Sequence, residues 1–295
     1  MGRMIDDLKN LRGMLRSRIG QVRAKINGNG FVGHLDYPEI VKDYSEYVAL
    51  QKGKYCSHEV DYPHWELGQR RYLDKAFGSV PRDAKIIDIA CGDGVGLRHF
   101  RELGFTDIAG VEFNAAKAKK AAEAGYYVYQ HDMHDLGDIP DCSYDIVYSS
   151  HTLEHAYNPK AVIREFRRIL RSPGSLFVVL PYPDRTNRND EAHGGKFELG
   201  THILDNGKAL VQVFVDQGFL LAKKSFDYYR EDEIWLVFRK REQGVKRQQA
   251  TERSVNRRYV DGMPPSSKCS ASPPERVHGS TGFNPPPIGH SLTSQ

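Results

Sequence analysis

Residues 86–96 read Ile86-Ile87-Asp88-Ile89-Ala90-Cys91-Gly92-Asp93-Gly94-Val95-Gly96. A mostly apolar run passes directly into a glycine-rich turn, and a helical pattern follows from Val95. Glycine lets a backbone turn tightly and approach a ligand with no Cβ in the way. In open α/β sheets, ligands sit at the carboxyl ends of the strands, where this turn would lie. Taken alone, the loop fits either a bound dinucleotide or a simple reversal of the chain.

Outward from this point, strand-like runs at 85–90, 108–113, 126–130, 144–149 and 175–181 alternate with helical patterns at 95–103, 115–124, 159–170 and 206–217. Residues 219–226 and 233–238 read as a closing antiparallel pair. The alternation predicts an α/β fold, a parallel sheet with helices on both faces. The second strand ends in Gly110-Val111-Glu112-Phe113, about twenty residues after the loop, where a carboxylate can accept both hydroxyls of a ribose. NAD enzymes share that device. The third strand ends in Gln130-His131-Asp132-Met133. The fourth, Tyr144-Asp145-Ile146-Val147-Tyr148-Ser149-Ser150, leads into His151-Thr152-Leu153-Glu154-His155. A helix then precedes Arg168-Ile169-Leu170-Arg171-Ser172-Pro173-Gly174-Ser175 and the fifth strand.

In this order the motifs resemble the class I S-adenosylmethionine-dependent methyltransferases, in their small-molecule (type 11-like) branch. The resemblance is close over residues 84–182 and extends loosely to about 240. It implies a Rossmann-like seven-stranded sheet, six strands parallel and one antiparallel, with a helical N-terminal extension. It implies S-adenosyl-L-methionine as cofactor, with Asp88, Ala90, Cys91, Gly92 and Gly94 around the methionine moiety. Glu112, followed by Phe113, would take the ribose. Asp132 and Met133 would meet the adenine, and Ser149 or Ser150 with His151 would floor the site near the sulfonium. The chain departs from the family in having Ala90 where glycine is usual and Arg-Ser-Pro-Gly-Ser where Lys-Pro-Gly-Gly is common. Each role has a plainer counterpart: Asp88 orienting the loop, Glu112 as a solvated helix cap, Asp132 as a turn residue.

Composition frames the rest. The 295 residues include 39% hydrophobic and 27% charged side chains, as in ordinary folded proteins. Residues 1–30 carry a net +5 and residues 239–295 a net +6, which leaves −7 between them for a total of +4. An acidic centre is poorly suited to tracking phosphates, so nucleic acid is disfavoured as a partner. Cys56, Cys91, Cys142 and Cys269 form no C-x-x-C pair, and no apolar leader or membrane-length run is visible, so a cytoplasmic setting is expected. Four segments are expected: a basic amphipathic helix within 1–30, a helical aromatic-rich cap at 31–80, the core at 81–240, and a disordered Pro-rich basic tail at 241–295. The first helix, at 4–26, fits packing on its own domain, self-association or contact with a membrane surface. Seven of the fifteen prolines fall between 264 and 287.

Methyl transfer to a hydroxyl requires that a proton be removed, and histidine is the natural acceptor near neutral pH. His193, in Ala192-His193-Gly194-Gly195-Lys196-Phe197-Glu198, and His151 are the candidate bases. His58 and His64 lie among the tyrosines of the cap, where they either complete a lid or simply pack. His151 to His155 matches the H-x-x-E-H spacing of inverted zinc peptidases, but follows a strand, so no metal is expected there. Pro181-Tyr182-Pro183 resembles the box of adenine-N6 methyltransferases, yet follows the fifth strand and lacks its Asn/Asp. The favoured reaction is O-methylation of a small molecule, glycan or lipid-linked precursor; N- or C-methylation of a metabolite is the alternative. Two other classes stay open. A Rossmann oxidoreductase or epimerase would show G-x-G-x-x-G, where this chain has G-x-G-x-G at 92–96. A non-catalytic binding module would not need intact cofactor positions.

Overall fold

A computed structural model describes residues 43–55, 63–185, 193–229 and 232–242, apart from the side chains of residues 54, 55 and 63–65. These residues belong to one compact unit, and a second unit, 246–295, lies outside them. The expected helix at 4–26, the start of the cap, His58, the side chain of His64 and the tail beyond 242 also lie outside the described residues.

Seven strands form one sheet: β1 (Ile86–Ile89), β2 (Ile108–Val111), β3 (Tyr127–Tyr129), β4 (Tyr144–Ser150), β5 (Leu170–Pro181), β6 (Phe219–Asp227) and β7 (Glu233–Lys240). Their order is β3-β2-β1-β4-β5-β7-β6. β7 runs antiparallel to both neighbours, and the other pairings are parallel. The expected six-plus-one sheet is therefore present. The chain steps from β1 to β2 on one side and resumes at β4 on the other. That reversal opens a crevice at the strand ends.

Helices α1 (Tyr44–Tyr55) and α2 (Pro63–Ala76) precede the sheet, and α3 (Val95–Glu102), α4 (Ala115–Glu123), α5 (Pro159–Ile169), α6 (Lys196–Leu199) and α7 (Lys208–Asp216) follow its strands. β1 is buried on both sides, as central parallel strands are. Ile87 and Ile89 pack in one apolar layer with Val162 and Phe166 of α5 and Leu210 and Phe214 of α7. Ile86 faces a second layer with Tyr72 and Leu73 of α2, Phe77 and Phe100. Each such fully buried side chain contributes about 1.5–3 kcal/mol of transfer free energy. Local signals start the helices. Asn114 caps α4 by accepting from the N–H groups of Ala116 and Lys117, and Asn158, followed by Pro159, caps α5.

One boundary differs from the sequence reading. The expected turn around Pro173-Gly174 lies inside β5. Tyr144 pairs with Leu170, Ile146 with Ser175, and residues 171–174 bulge out of the ladder between them. Pairing at Leu170 starts the strand immediately after α5, which the turn residues concealed.

Backbone geometry explains the alanine in the loop. Ala90 has φ 60°, in the left-handed region. For an L-residue with a Cβ that region costs roughly 1–2 kcal/mol, so glycine is the unstrained choice. Ala90→Gly is expected to stabilise the fold by about 0.5–1 kcal/mol after the extra entropy of glycine in the unfolded chain is offset. Urea denaturation checks this; a destabilised variant would contradict the strain.

Candidate active site

The crevice holds a cavity of about 610 Å³ at the carboxyl ends of β1, β2, β4 and β5, within the size range of small-molecule sites. Ala90, Cys91 and Gly92 form one wall. The Cys91 N–H donates to the Val111 carbonyl at 2.9 Å, so the sheet ladder continues into the loop. Gly92 has φ 56°, and a Cβ built on it would meet nothing within 4 Å. That open space lies where a ligand would approach the backbone. Two expected loop residues stand behind the wall instead of lining it. Asp88 is buried, and a Cβ at Gly96 would collide with its carboxylate, so it fills the space beneath the start of α3. Burial and the neighbouring Glu112 raise its pKa well above the usual carboxylate range. Gly94 (φ 88°) packs against Ala121 of α4 and shapes the turn.

Glu112 follows β2 and is buried against the cavity. Its Oε2 accepts the Gly92 N–H and its Oε1 the Asn114 N–H, both at 2.8 Å. Burial raises its pKa, and the two backbone donors oppose that rise. A carboxylate offers about four acceptor positions, so one remains on each oxygen, matching a vicinal pair of hydroxyls. Phe113 lines the adjoining wall, with Lys52 Nζ 5.4 Å from its ring centre. Met133 and Asp132 close the far end. Asp132 accepts from the Tyr44 hydroxyl at 2.5 Å and from both the backbone N–H and Nδ1 of His134. These bonds outweigh the cost of burial and hold its pKa low. Three of its acceptor positions are used, which leaves one for a further donor. Tyr44 belongs to α1, and Tyr47, Gln51 and Lys52 of the same helix line the cavity. The cap residues thus cover the site, through a contact that no motif announced.

The opposite wall comes from β4, β5 and the segment after β5. Strand alternation turns Ser149 away: it is 1% exposed and does not line the cavity, whereas Ser150 does. His151 has a left-handed φ of 51° and faces carboxylates with both ring nitrogens, Nε2 with Glu233 at 3.1 Å and Nδ1 with Glu154 at 3.5 Å. Burial disfavours its charge, but the two carboxylates prevail and raise its pKa. Glu154 is lowered in turn, its burial outweighed by the surrounding imidazoles. A histidine whose charged form is favoured in this way suits a positive anchor better than a base. His193 is arranged differently. Its Nδ1 lies 2.9 Å from Oδ2 of Asp184, whose carboxylate is buried, and its ring meets that of His155 edge-on at 4.6 Å. Of the four non-glycine residues with a left-handed φ among the described residues, Ala90, Cys142, His151 and Asn206, two line the cavity, Ala90 and His151.

Sequence reasoning missed Asp184, Glu233 and Tyr44. Asp184 stands three residues beyond Pro181, in a stretch read for its Pro-Tyr-Pro pattern. The Tyr182 hydroxyl in fact donates to the Ile203 carbonyl at 2.7 Å and accepts the Gly207 N–H at 2.7 Å, a structural pin.

A strand order with one reversed strand next to the edge, a glycine loop opening onto a cavity, and a carboxylate holding two acceptor positions beside it fit S-adenosylmethionine. They define a class I, S-adenosylmethionine-dependent methyltransferase. The methyltransferase domain family matches residues 65–224, and the chain belongs to it. The chain is 26% identical over 131 residues, 40% of its length, to a 27-O-demethylrifamycin SV methyltransferase of Amycolatopsis mediterranei, covering 48% of that protein. It is 25% identical over 189 residues, 60% of its length, to a sterol 24-C-methyltransferase of Aspergillus fumigatus, covering 49% of that protein. The chain thus spans about half the length of the curated relatives it matches. A solved SAM-dependent methyltransferase from Aquifex aeolicus aligns over 65% of this chain and 97% of its own, at 14% identity and a TM-score of 0.48. Among the described residues, no helix is long and apolar enough to cross a membrane.

Replacing Glu112 removes both the expected ribose acceptor and the clasp on Gly92. Glu112→Ala is expected to weaken S-adenosylmethionine binding at least about tenfold. Titration calorimetry checks this alongside the melting temperature, and unchanged affinity in a folded variant would contradict the assignment.

Proposed function

We propose that the protein methylates a hydroxyl oxygen of an enclosed small molecule, glycan or lipid-linked precursor. Glu112 and the 90–92 loop hold the nucleoside and methionine parts of S-adenosylmethionine, with Phe113, Asp132 and Met133 around the adenine. The cofactor supplies an electrophilic methyl group. The acceptor lies between it and the wall carrying His151 and His193. The helices before the core form a cap that keeps this space dry, and proximity in such a space supplies several kcal/mol.

The single observation that carries the reading is the Asp184–His193 pair on the cavity wall. A buried carboxylate at one ring nitrogen fixes the orientation of a ring that lines the cavity. As the oxygen attacks in line with the departing sulfur, the C–O bond forms, the S–C bond breaks, and His193 takes the hydroxyl proton. S-adenosylhomocysteine remains. His151, held between Glu154 and Glu233, acts as a fixed positive group.

C-methylation is a second reading, suggested by the sterol methyltransferase among the relatives. The polar character of the wall weighs against it, because a carbon acceptor gains little from three histidines.

Methyl-labelled cofactor offered with a panel of hydroxylated acceptors is expected to give products labelled on oxygen. His193→Ala and Asp184→Asn are expected to lower turnover by about 10²-fold with cofactor affinity unchanged. Label on carbon or nitrogen, or full turnover in His193→Ala, would contradict the proposal.

A further inference from the structure

Glu154 is set apart from the other acids of the site. It lies in the 3-10 turn Leu153–His155 after β4, its side chain is 0% exposed, and neither oxygen has a close hydrogen-bond partner among the described residues. A buried carboxylate held only by long contacts is costly. The groups that approach it are imidazoles, His151 Nδ1 at 3.5 Å and His155 Nε2 at 3.9 Å. His193, nearly forty residues on in sequence, joins them. One ligand atom each from Glu154, His155 and His193 lie within 4.8 Å of one another, and all three residues line the cavity.

We propose that Glu154, His155 and His193 bind one divalent transition-metal cation on the acceptor wall. Two imidazoles and one carboxylate are a donor set of catalytic metal sites, which keep further positions open for substrate or water. Bonds of about 2.1 Å place tetrahedral ligands about 3.4 Å apart. Closing from 4.8 Å or less therefore shortens each separation by at most about 1.4 Å, and the cation supplies a close partner for the Glu154 oxygens. Asp184 completes the arrangement. By holding Nδ1 of His193 it directs Nε2 to the metal, which is how ligating histidines are commonly fixed. The sequence spacing pointed to a different pair. In H-x-x-E-H the two histidines would share a metal, but here His151 turns to Glu233, and the distant His193 takes its place.

This inference rests on the same wall being the acceptor side: without a cation His193 is the proton acceptor described above, and with one bound it is a ligand and the hydroxyl proton passes to solvent. An acceptor hydroxyl coordinated at the open position loses its proton to solvent more readily. The resulting oxygen anion then displaces the sulfur, forming C–O as S–C breaks.

The test uses untagged full-length protein freed of metal with chelator and titrated with Co²⁺, whose absorption reports coordination, with elemental analysis for stoichiometry. One ion per chain is expected, with affinity reduced at least about tenfold in Glu154→Gln and His193→Ala and about tenfold in Asp184→Asn. Should one variant melt early, the other two carry the comparison. Wild-type protein that binds S-adenosylmethionine but takes up no Co²⁺ would overturn the metal site and leave His193 as the base. Uptake unchanged in all three variants would overturn it equally. Failure to bind the cofactor at all would instead count against the methyltransferase reading.

Discussion

Two backbone N–H groups pointing at one buried carboxylate hold this site together. Glu112 joins the turn after β1 to the turn after β2 through Gly92 and Asn114. Each turn carries a different part of the expected ligand contact, so the clasp sets their separation. A carboxylate accepting backbone donors is stabilised as the anion, while its burial works the other way. The compromise is a charged group that is rigid yet retains acceptor capacity toward the cavity. Around it the parallel ladder runs past the strand ends, with Cys91 donating to Val111 and Glu112 to Tyr129. The site is thus an extension of the sheet and shares its stiffness.

Much of this was legible in the residues. Alternation of apolar runs and helical patterns located all seven strands, because each buried strand must be filled on both faces. The acid after β2 and the glycine at 92 were readable because a backbone approach and a paired acceptor admit few residue types. Asp88, Gly94 and Ser149 were recognised as part of the pattern, and they stand one layer behind the residues that line the cavity. Asp88 and Ser149 lie in or beside strands, where a shift of a single position changes the face, and Gly94 serves the helix that follows. Nothing in the sequence could disclose Asp184 with His193, or Glu233 with His151. Those pairs join segments 9 and 82 residues apart; antiparallel pairing of β5 and β7 at Pro181 and Glu233 brings Glu233 to His151, and bonds from the Asp184 N–H to the Thr201 carbonyl and from the Gly195 N–H to the Glu154 carbonyl hold the segment that carries Asp184 and His193.

The cavity has two chemically distinct sides. The β1–β2 side offers glycine backbone, a clasped carboxylate and the apolar faces of Phe113 and Met133, which suit a nucleoside. The β4–β5 side carries His151, His155 and His193 among Glu154, Asp184 and Glu233. Such concentration of buried ionisable groups costs stability and is kept where charge develops during reaction. The imidazoles differ in their surroundings: His151 lies between Glu154 and Glu233, whereas Asp184 fixes one nitrogen of His193. α1 reaches both sides, Tyr44 donating to Asp132 and Gln51 to the His155 carbonyl.

A crystal structure of the full chain with S-adenosylhomocysteine tests the central claim most directly. The account predicts both ribose hydroxyls within hydrogen-bond distance of the two Glu112 oxygens and the sulfur turned toward the histidine wall. A nucleoside bound elsewhere, or one whose sugar never reaches Glu112, would contradict it.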